Sequence, residues 1–349
     1  MKLTKRQESL YQLLHERGQV TPAEAKDFLA ERFGELSRMS VVRDFDALMR
    51  VSLAKRIGKG RGVKYLTVKT DAILREVNPK AYFAIAPDAR IIKSQNLDLN
   101  IFKKPGDIFT YTELKKLIKL TDQFQKRAKK YTGTALKKEY ERITIELSWK
   151  SSQMEGNTYS LIDTEILLKD GKKAKGKTTE ETQMILNHKQ AIEYIFDAQK
   201  SFKKITMHQI ENVHQLLAKN LGIKKGLRSR PVGIIGTAYR PPDNQHEVRE
   251  YIEKAVKVIN EQKNALVKSL LVILLISYIQ PFEDGNKRTA RLLGNGILLA
   301  HAYCPLSYRN VDEAEYKKAM IIFYEQHSAK MFKELFIDQY IFAVNHYFL

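Results

Sequence analysis

The sequence predicts a mainly α-helical protein, in which a small N-terminal domain with one β-hairpin precedes a larger all-α domain. Apolar residues recur at helical spacing before residue 50 and again from about residue 110 onward. Between them, residues 53–68, "LAKRIGKGRGVKYLTV", predict two short strands around a glycine-rich basic turn. We therefore expect domains at 1–69 and 110–349, joined by a linker at 70–109 that is interrupted by prolines.

Length and cysteine content limit the class of protein. A chain of 349 residues is longer than a typical single core, which favours two or three domains. The single cysteine, Cys304, excludes an internal disulfide framework, and no Cys/His cluster has zinc-ligand spacing. The apolar run 265–279 is interrupted by Lys268 and is too short for a bilayer span, so it predicts a buried helix. We expect a cytoplasmic protein with no membrane partner.

The positive charge is spread along the chain. The net charge is +20, and residues 1–69 hold fifteen Lys/Arg against eight Asp/Glu, a net of +7 that leaves +13 for the other 280 residues. Because basicity is general, charge alone is weak evidence for DNA binding.

Local capping signals place the first two helices. Thr4 with Gln7 forms a capping box ahead of the first helix, which Gly18 can end. Thr21, followed by a proline and a glutamate, starts the second, and Gly34 closes it. A third helix is expected from near Ser37, with one apolar face formed by Val41, Phe45 and Leu48.

Three helices followed by a basic hairpin resemble the winged helix-turn-helix domain of bacterial regulators, over about 70 residues. The resemblance implies that the third helix enters the major groove of DNA and that the wing touches phosphates. It nominates for the groove Arg38, Ser40 and Arg43, and for the backbone Lys55, Arg56, Lys59 and Arg61. The alternative is a protein-docking module on which these charges are merely solvated.

The stretch 278–299, "YIQPFEDGNKRTARLLGNGILL", carries the strongest chemical signal. Pro281 follows the apolar helix, and Gly285 with Asn286 permits an unusual turn before a new helix begins. Backbone N–H groups at that helix start suit an anion. Arg288 and Arg291, three residues apart, can clamp adjacent phosphates.

This string resembles the signature of the Fic family, His-Pro-Phe-x-Asp/Glu-Gly-Asn-Gly/Lys-Arg-x-x-Arg. Every position from Pro281 to Arg291 matches, and only Gln280 departs, because it stands where the family has histidine. Two other stretches extend the resemblance over most of 110–349. "SSQMEGN" is similar to an inhibitory helix, expected near 147–157, that bears Ser151, Glu155 and Gly156. Residues 226–250 look like the family's β-hairpin flap, with Val232, Gly233, Ile234 and Ile235 holding a protein target by strand addition.

The resemblance implies transfer of AMP from ATP to a hydroxyl of a protein side chain, with Mg²⁺ held by Asp284 between the phosphates. It assigns the phosphates to Gly285, Asn286, Lys287, Arg288 and Arg291, the last of which meets the γ-phosphate. Glu155, folded back onto Arg291, would block that phosphate. For Lys287 the alternative is a solvated side chain.

The choice between the possible functions depends on Gln280. An amide can orient a hydroxyl but cannot take its proton near neutral pH, and loss of a general base costs about 10²- to 10⁴-fold in rate. Three functions therefore stand: an autoinhibited AMP transferase impaired at Gln280, a non-catalytic nucleotide-sensing regulator that binds DNA, and a de-AMPylase in which Glu155 positions water. A homodimer is also open, because winged-helix regulators commonly pair.

Overall fold

The computed structural model describes residues 3–50, 53–67, 72–98, 101 and 108–349. The chain divides into two compact units, Met1–Asp71 and Ala72–Leu349. Helices dominate both units within the described residues, which confirms the predicted mainly α fold class.

In its described part, the first unit has three α-helices and a small antiparallel sheet with strand order β1-β3-β2. Its elements are α1 (Lys5–Arg17), β1 (Gln19–Val20), α2 (Pro22–Phe33), α3 (Arg38–Arg50), β2 (Ala54–Ile57) and β3 (Lys64–Thr67). The capping box predicted at Thr4 forms, and Thr21, predicted to start the second helix, makes a capping box with Glu24 as well. The hairpin pairs Ala54 with Thr67 and Ile57 with Lys64. Assignment of this unit to the winged-helix family stays a prediction.

Two contacts fix α3 within this unit. The rings of Phe45 on α3 and Tyr65 on β3 stack with centroids 3.8 Å apart. From α1, Arg6 donates to both carboxylate oxygens of Asp44, at 2.6 and 3.1 Å. The exposed face of α3 and the basic hairpin are therefore held on one rigid core.

The second unit is built around one almost completely buried helix. Its helices are α4 (Pro79–Phe83), α5 (Tyr111–Ala128), α6 (Gly133–Gln153), α7 (Leu161–Asp170), α8 (Thr179–Asp197), α9 (Met207–Ala218), α10 (Gln245–Glu261), α11 (Ala265–Ile279), α12 (Asn286–Ala300), α13 (Glu313–Gln326) and α14 (Lys330–His346). The apolar run predicted to be a core helix is α11, and every residue of it except Val267 is buried. Among the described residues, no helix is both long and apolar enough to cross a membrane.

Helices α11 and α12 approach closely because α12 presents glycines to its neighbours. A Cβ added to Gly294 would lie 2.8 Å from Ile273 Cδ1 and 3.1 Å from Ser269 Oγ. The Ser269 hydroxyl donates to the Gly294 carbonyl at 3.0 Å, which fixes the crossing of the two helices. The start of α12 and the end of α11 thereby lie side by side.

Replacing Gly294 by alanine is expected to destabilise the protein despite the better helix propensity of alanine. The propensity gain is about 1 kcal/mol, whereas overpacking a filled core costs about 1–3 kcal/mol. Urea denaturation of the full chain measures the net change. The pair Gly294→Ala/Ile273→Val, which removes the closest methyl group, should lose less than the sum of the two single changes. Strict additivity would contradict the proposed close contact.

Part of the segment predicted as a linker is packed into the second unit. Ile73, Ile108 and Phe109 are buried in the core of the second unit. The Lys93 N–H donates to the Glu325 carbonyl at 2.8 Å, and the Tyr82 hydroxyl donates to the Glu325 carboxylate at 2.7 Å. The prolines shorten its helices, but scattered apolar residues still anchor it, so its described part belongs to the second unit.

Candidate functional site

A cavity of about 460 Å³ opens beside the start of α12. This volume lies within the usual range of small-molecule sites. The end of α6, the start of α12, the inner face of α13 and the loop 232–235 surround it. It is lined by Met154, Glu155, Gly156, Val232, Gly233, Ile234, Ile235, Gln280, Glu283, Asp284, Gly285, Asn286, Lys287, Glu313, Tyr316, Lys317, Met320, Ile321 and Tyr324.

The turn between α11 and α12 forms the base of the cavity. Helix α11 ends at Ile279 and is capped by Gln280, which adopts the left-handed conformation with φ 51° and donates its N–H to Ile276 O at 3.0 Å. Gly285, with φ 80°, precedes α12 and needs the freedom of glycine. The buried Phe282 ring anchors the loop, as the sequence predicts.

Side-chain amides hold this turn from inside. Asn286 accepts the Phe282 N–H at 2.8 Å and donates to Phe282 O at 2.8 Å and to Gln280 Oε1 at 2.9 Å. Gln280 Nε2 donates to Ser277 O at 2.6 Å. Both ends of the Gln280 amide therefore bind the protein itself. This differs from the expectation that the amide orients a substrate hydroxyl, and it makes Gln280 a structural part of the loop.

Five backbone N–H groups of the loop make no hydrogen bond in the described structure. Within the described part of the chain, the N–H groups of Glu283, Asp284, Gly285, Asn286 and Lys287 have no hydrogen-bond acceptor. The first turn of a helix cannot satisfy its own donors, and its dipole adds positive potential. All five of these residues line the cavity, so the site suits an anion.

Asp284, which lines the cavity, forms an ion pair with Arg288. Arg288 Nη2 donates to Asp284 Oδ2 at 2.8 Å, and the arginine is buried while the aspartate is exposed. Arg288 Nε and Nη1 are buried without a partner. No cluster of three or more metal-ligand side chains occurs among the described residues. Asp284 could therefore hold a divalent cation only together with ligands from a bound molecule or from water.

Arg291 is bound by the segment predicted to be inhibitory. Its Nε donates to Ser151 Oγ at 2.9 Å, and Nη2 donates to Ser151 O at 2.8 Å and to Glu155 Oε1 at 2.9 Å. Arg291 is completely buried. Helix α6 ends at Gln153, so Glu155 and Gly156 lie in the turn beyond it, and Gly156 has φ 96°. The structure thus brings Arg291 into contact with Glu155, 136 residues earlier in the sequence, and with Ser151, 140 residues earlier.

A second cation lies near the same carboxylate. Lys287 Nζ lies 3.8 Å from Glu155 Oε2, and both side chains are about three-quarters buried. The lysine is therefore neither fully solvated nor tightly paired. Two cations, Arg291 and Lys287, therefore lie close to the Glu155 carboxylate.

A buried histidine, His188, is within hydrogen-bonding distance of the Ser151 hydroxyl. His188 Nε2 lies 2.8 Å from Ser151 Oγ, and His188 Nδ1 is buried without a partner. Burial first, and then the charges of Arg291 and Arg288, lower the pKa of His188 well below its ordinary value. The neutral ring adds no positive charge beside the two arginines.

The predicted β-hairpin flap is not paired as strands in the described structure. Residues 231–239 carry no strand, and the bridge nearest to them joins Asn96 with Arg240. Two prolines end the segment and glycines interrupt it. It therefore forms no pair of hydrogen-bonded strands within itself. Arg90 contacts this segment at Gly236, where its Nη1 donates to the carbonyl oxygen at 3.0 Å. Ile235 is 99% exposed.

Sequence reasoning missed two residues that hold the turn. Arg228, which is buried, donates through Nε to Gln280 O at 2.6 Å and through its backbone N–H to Pro281 O at 3.0 Å. His214 Nε2 lies 3.0 Å from Asp284 O, and its ring stacks on Phe282. Burial lowers the pKa of His214 to about 4, so its ring is neutral at pH 7. Both lie more than fifty residues upstream of the turn, where no local pattern marks them.

Known proteins share this domain. The Fic/DOC family profile matches residues 204–298. "Protein adenylyltransferase Fic" of Nematostella vectensis is 28% identical over 178 residues, which cover 48% of this chain and 40% of that protein. "Protein adenylyltransferase fic-1" of Caenorhabditis elegans is 24% identical over 190 residues, 53% of this chain and 37% of its own length. The matched region spans less than half of each of these relatives.

Solved structures show the same fold. A fragment of Fic-1 from Caenorhabditis elegans superposes with a TM-score of 0.58 at 20% identity, covering 68% of this chain and 70% of that one. A Fic domain containing signalling protein from Bacteroides thetaiotaomicron gives 0.55 at 20% identity, covering 67% and 94%. The turn, Arg228 and His214 all fall within residues 204–298, the part of the chain that matches the Fic/DOC family.

Proposed function

We propose that the cavity binds ATP and that the second unit is a protein AMP transferase of the Fic type, held inactive by Glu155 and impaired at Gln280. The observation that carries this proposal is the buried Arg291. Its guanidinium already holds a carboxylate, Glu155, at 2.9 Å in the cavity wall. Both N–H groups of Arg291 Nη2 are already engaged, by Ser151 O and by Glu155, so a phosphate that binds this nitrogen has to displace the carboxylate.

The charges around the cavity fit a polyphosphate. Unpaired backbone N–H groups at 283–287 lie at one end, and the cations Lys287, Arg288 and Arg291 follow on the first two turns of α12. Four carboxylates also line the cavity: Glu155, Glu283, Asp284 and Glu313. Glu313 is paired with Lys150 at 3.0 Å, and Glu283 is exposed to solvent. If Glu155 turns away and Asp284 binds Mg²⁺, donors and cations then predominate, as several phosphate charges require.

AMP transfer joins the oxygen of the attacking hydroxyl to the α-phosphorus of ATP and breaks the bond to the bridging oxygen, so pyrophosphate leaves. Mg²⁺ at Asp284 would supply charge neutralisation for that leaving group. The hydroxyl proton needs an acceptor, and the Gln280 amide cannot take it. In this account the chain binds and orients ATP but transfers AMP slowly.

The target would dock on the unpaired loop. Within the described residues, the N–H and C=O groups of Val232, Gly233, Ile234 and Ile235 have no hydrogen-bond partner. These residues also line the cavity, next to the turn. A segment with open backbone groups can accept an extended peptide as an added strand, which brings its hydroxyl to the phosphates.

Labelled ATP tests the assignment directly. In a Glu155→Gly chain, ATP labelled on the α-phosphate should slowly label the chain itself or an added protein, and ATP labelled on the γ-phosphate should not. The two relatives named protein adenylyltransferase support this outcome. Label from the γ-position would instead indicate phosphate transfer and would overturn the proposal.

A second candidate function, DNA binding, is favoured by the first unit. Arg38 and Arg43 are exposed on α3, whereas the Ser40 hydroxyl is engaged with that of Ser37 at 3.0 Å. In the hairpin Lys55, Arg56 and Lys59 are exposed, and the side chain of Arg61 lies outside the described part of the chain. Cations on a helix and on an adjacent hairpin suit a DNA backbone and groove. In that case the second unit would bind a nucleotide without catalysis, and the protein would be a nucleotide-sensing regulator that binds DNA.

Salt dependence tests this second function. Binding to mixed-sequence duplex DNA should weaken steeply between about 50 and 200 mM salt, and the slope should fall by about one for each phosphate-contacting cation removed. Arg38→Ala/Arg43→Ala should abolish measurable binding at the higher salt. Lys26→Ala/Arg32→Ala, which removes two exposed charges from α2, is the matched control and should change little. Equal losses in both variants would reduce the effect to net charge.

A further inference from the structure

His214 lies under the turn and makes two contacts with it. Its ring is parallel to that of Phe282, with centroids 3.6 Å apart and planes 4° apart. Its Nε2 lies 3.0 Å from the carbonyl oxygen of Asp284. A carbonyl oxygen only accepts hydrogen bonds, so Nε2 carries the proton and donates.

The carbonyl groups of the turn are almost all held by a partner. Arg228 binds the carbonyls of Gln280 and Pro281, and Asn286 binds that of Phe282. Gly285 O accepts from Thr289 N at 2.9 Å within the helix. The remaining held carbonyl is that of Asp284, and His214 is its partner among the described residues.

We propose that His214 is a positioning residue for anion binding: its N–H holds the Asp284 carbonyl, and this fixes the Asp284–Gly285 peptide so that the N–H groups of Gly285 and the following residues stay available to phosphate. A peptide plane is rigid, so its C=O and N–H turn together. Without the donor, the plane can rotate and bring a carbonyl oxygen towards the phosphates, which repel it. This inference rests on the proposed ATP site.

Two observations distinguish this role from that of an ordinary core residue. His214 Nδ1 is buried without a partner, a cost that phenylalanine at this position would avoid. The ring also lies against the glycine of the turn, since a Cβ added to Gly285 would be 3.6 Å from His214 Cδ2. A flat side chain with a donor at its far end meets both demands, and an aliphatic one does not.

Two substitutions separate the donor from the packing. His214→Phe keeps a ring on Phe282 and removes the donor, whereas His214→Gln places an amide N–H near the position of Nε2. Both are made in the full-length Glu155→Gly chain. Affinity for ATP with Mg²⁺ and for inorganic tripolyphosphate is measured by calorimetry, and the thermal midpoint is recorded without ligand.

The positioning role predicts that His214→Phe weakens both ligands by about tenfold or more, the size of one lost hydrogen bond. His214→Gln should bind within about threefold of the parent even if its thermal midpoint is lower than that of His214→Phe. Affinities that follow the thermal midpoint, or a phenylalanine variant that binds like the parent, would overturn the inference while leaving the ATP site intact. No binding of either ligand to the parent would overturn the proposed function, and this inference with it.

Discussion

Gln280→His, introduced together with Glu155→Gly, is expected to raise the rate of AMP transfer by about 10²- to 10⁴-fold over Glu155→Gly alone, the usual contribution of a general base. The backbone already presents this position at the cavity, in a left-handed conformation that ends α11. A histidine can donate through Nδ1 to Ser277 O, as the glutamine amide now does, and keep Nε2 as the acceptor for the hydroxyl proton.

The matched control is Gln280→Ala. It removes the amide bonds to Ser277 and Asn286 without adding a base, so its rate should stay at or below that of the parent. Initial rates are read from α-labelled ATP at saturating nucleotide, which separates transfer from binding. A histidine variant no faster than the alanine variant would show that the missing base does not limit this reaction.

Glu155→Gly alone is expected to tighten ATP binding by roughly 10- to 100-fold. The carboxylate makes a charge-assisted hydrogen bond with the buried Arg291, and such bonds contribute about 1.5–3 kcal/mol. Every ATP molecule that reaches Arg291 must first displace it. Removal also relieves Lys287, which lies 3.8 Å from the other carboxylate oxygen. Calorimetry in the presence of Mg²⁺ measures the change.

Glu283→Gln provides the comparison for that experiment. Glu283 lines the same cavity but is exposed and pairs with neither arginine among the described contacts. Its removal deletes the same charge at the same end of the molecule, where solvent screens it. An affinity change of less than about threefold is expected for a screened charge. If both variants tightened binding equally, general electrostatics rather than competition at Arg291 would be the cause.

Local signals in the sequence predicted local structure well. The capping boxes at Thr4 and Thr21 form because each involves residues three positions apart. The turn between α11 and α12 was also predictable, because Pro281 restricts the residue before it and Gly285 permits a positive φ. The apolar run of α11 predicted burial for the same reason: one segment carries the whole signal.

Contacts between distant segments could not be predicted in this way. His214 and Arg228 hold the turn from α9 and from the loop after it, and their own neighbours in sequence give no sign of this. The segment 72–98 looked like a linker because its anchoring groups are single residues, such as Tyr82 bound to Glu325. Strand character at 232–235 did not produce a hairpin, because pairing depends on a partner that the segment itself does not supply.

The central claim is that the turn after Pro281 and the first two turns of α12 grip a polyphosphate. A crystal structure of the Glu155→Gly chain with Mg²⁺ and a non-hydrolysable ATP analogue tests it most directly. We expect phosphate oxygens within hydrogen-bonding distance of the N–H groups of Gly285–Lys287 and of the guanidinium groups of Arg288 and Arg291, with the metal on Asp284. Phosphates bound elsewhere, or the analogue absent from this cavity at saturating concentration, would contradict the account.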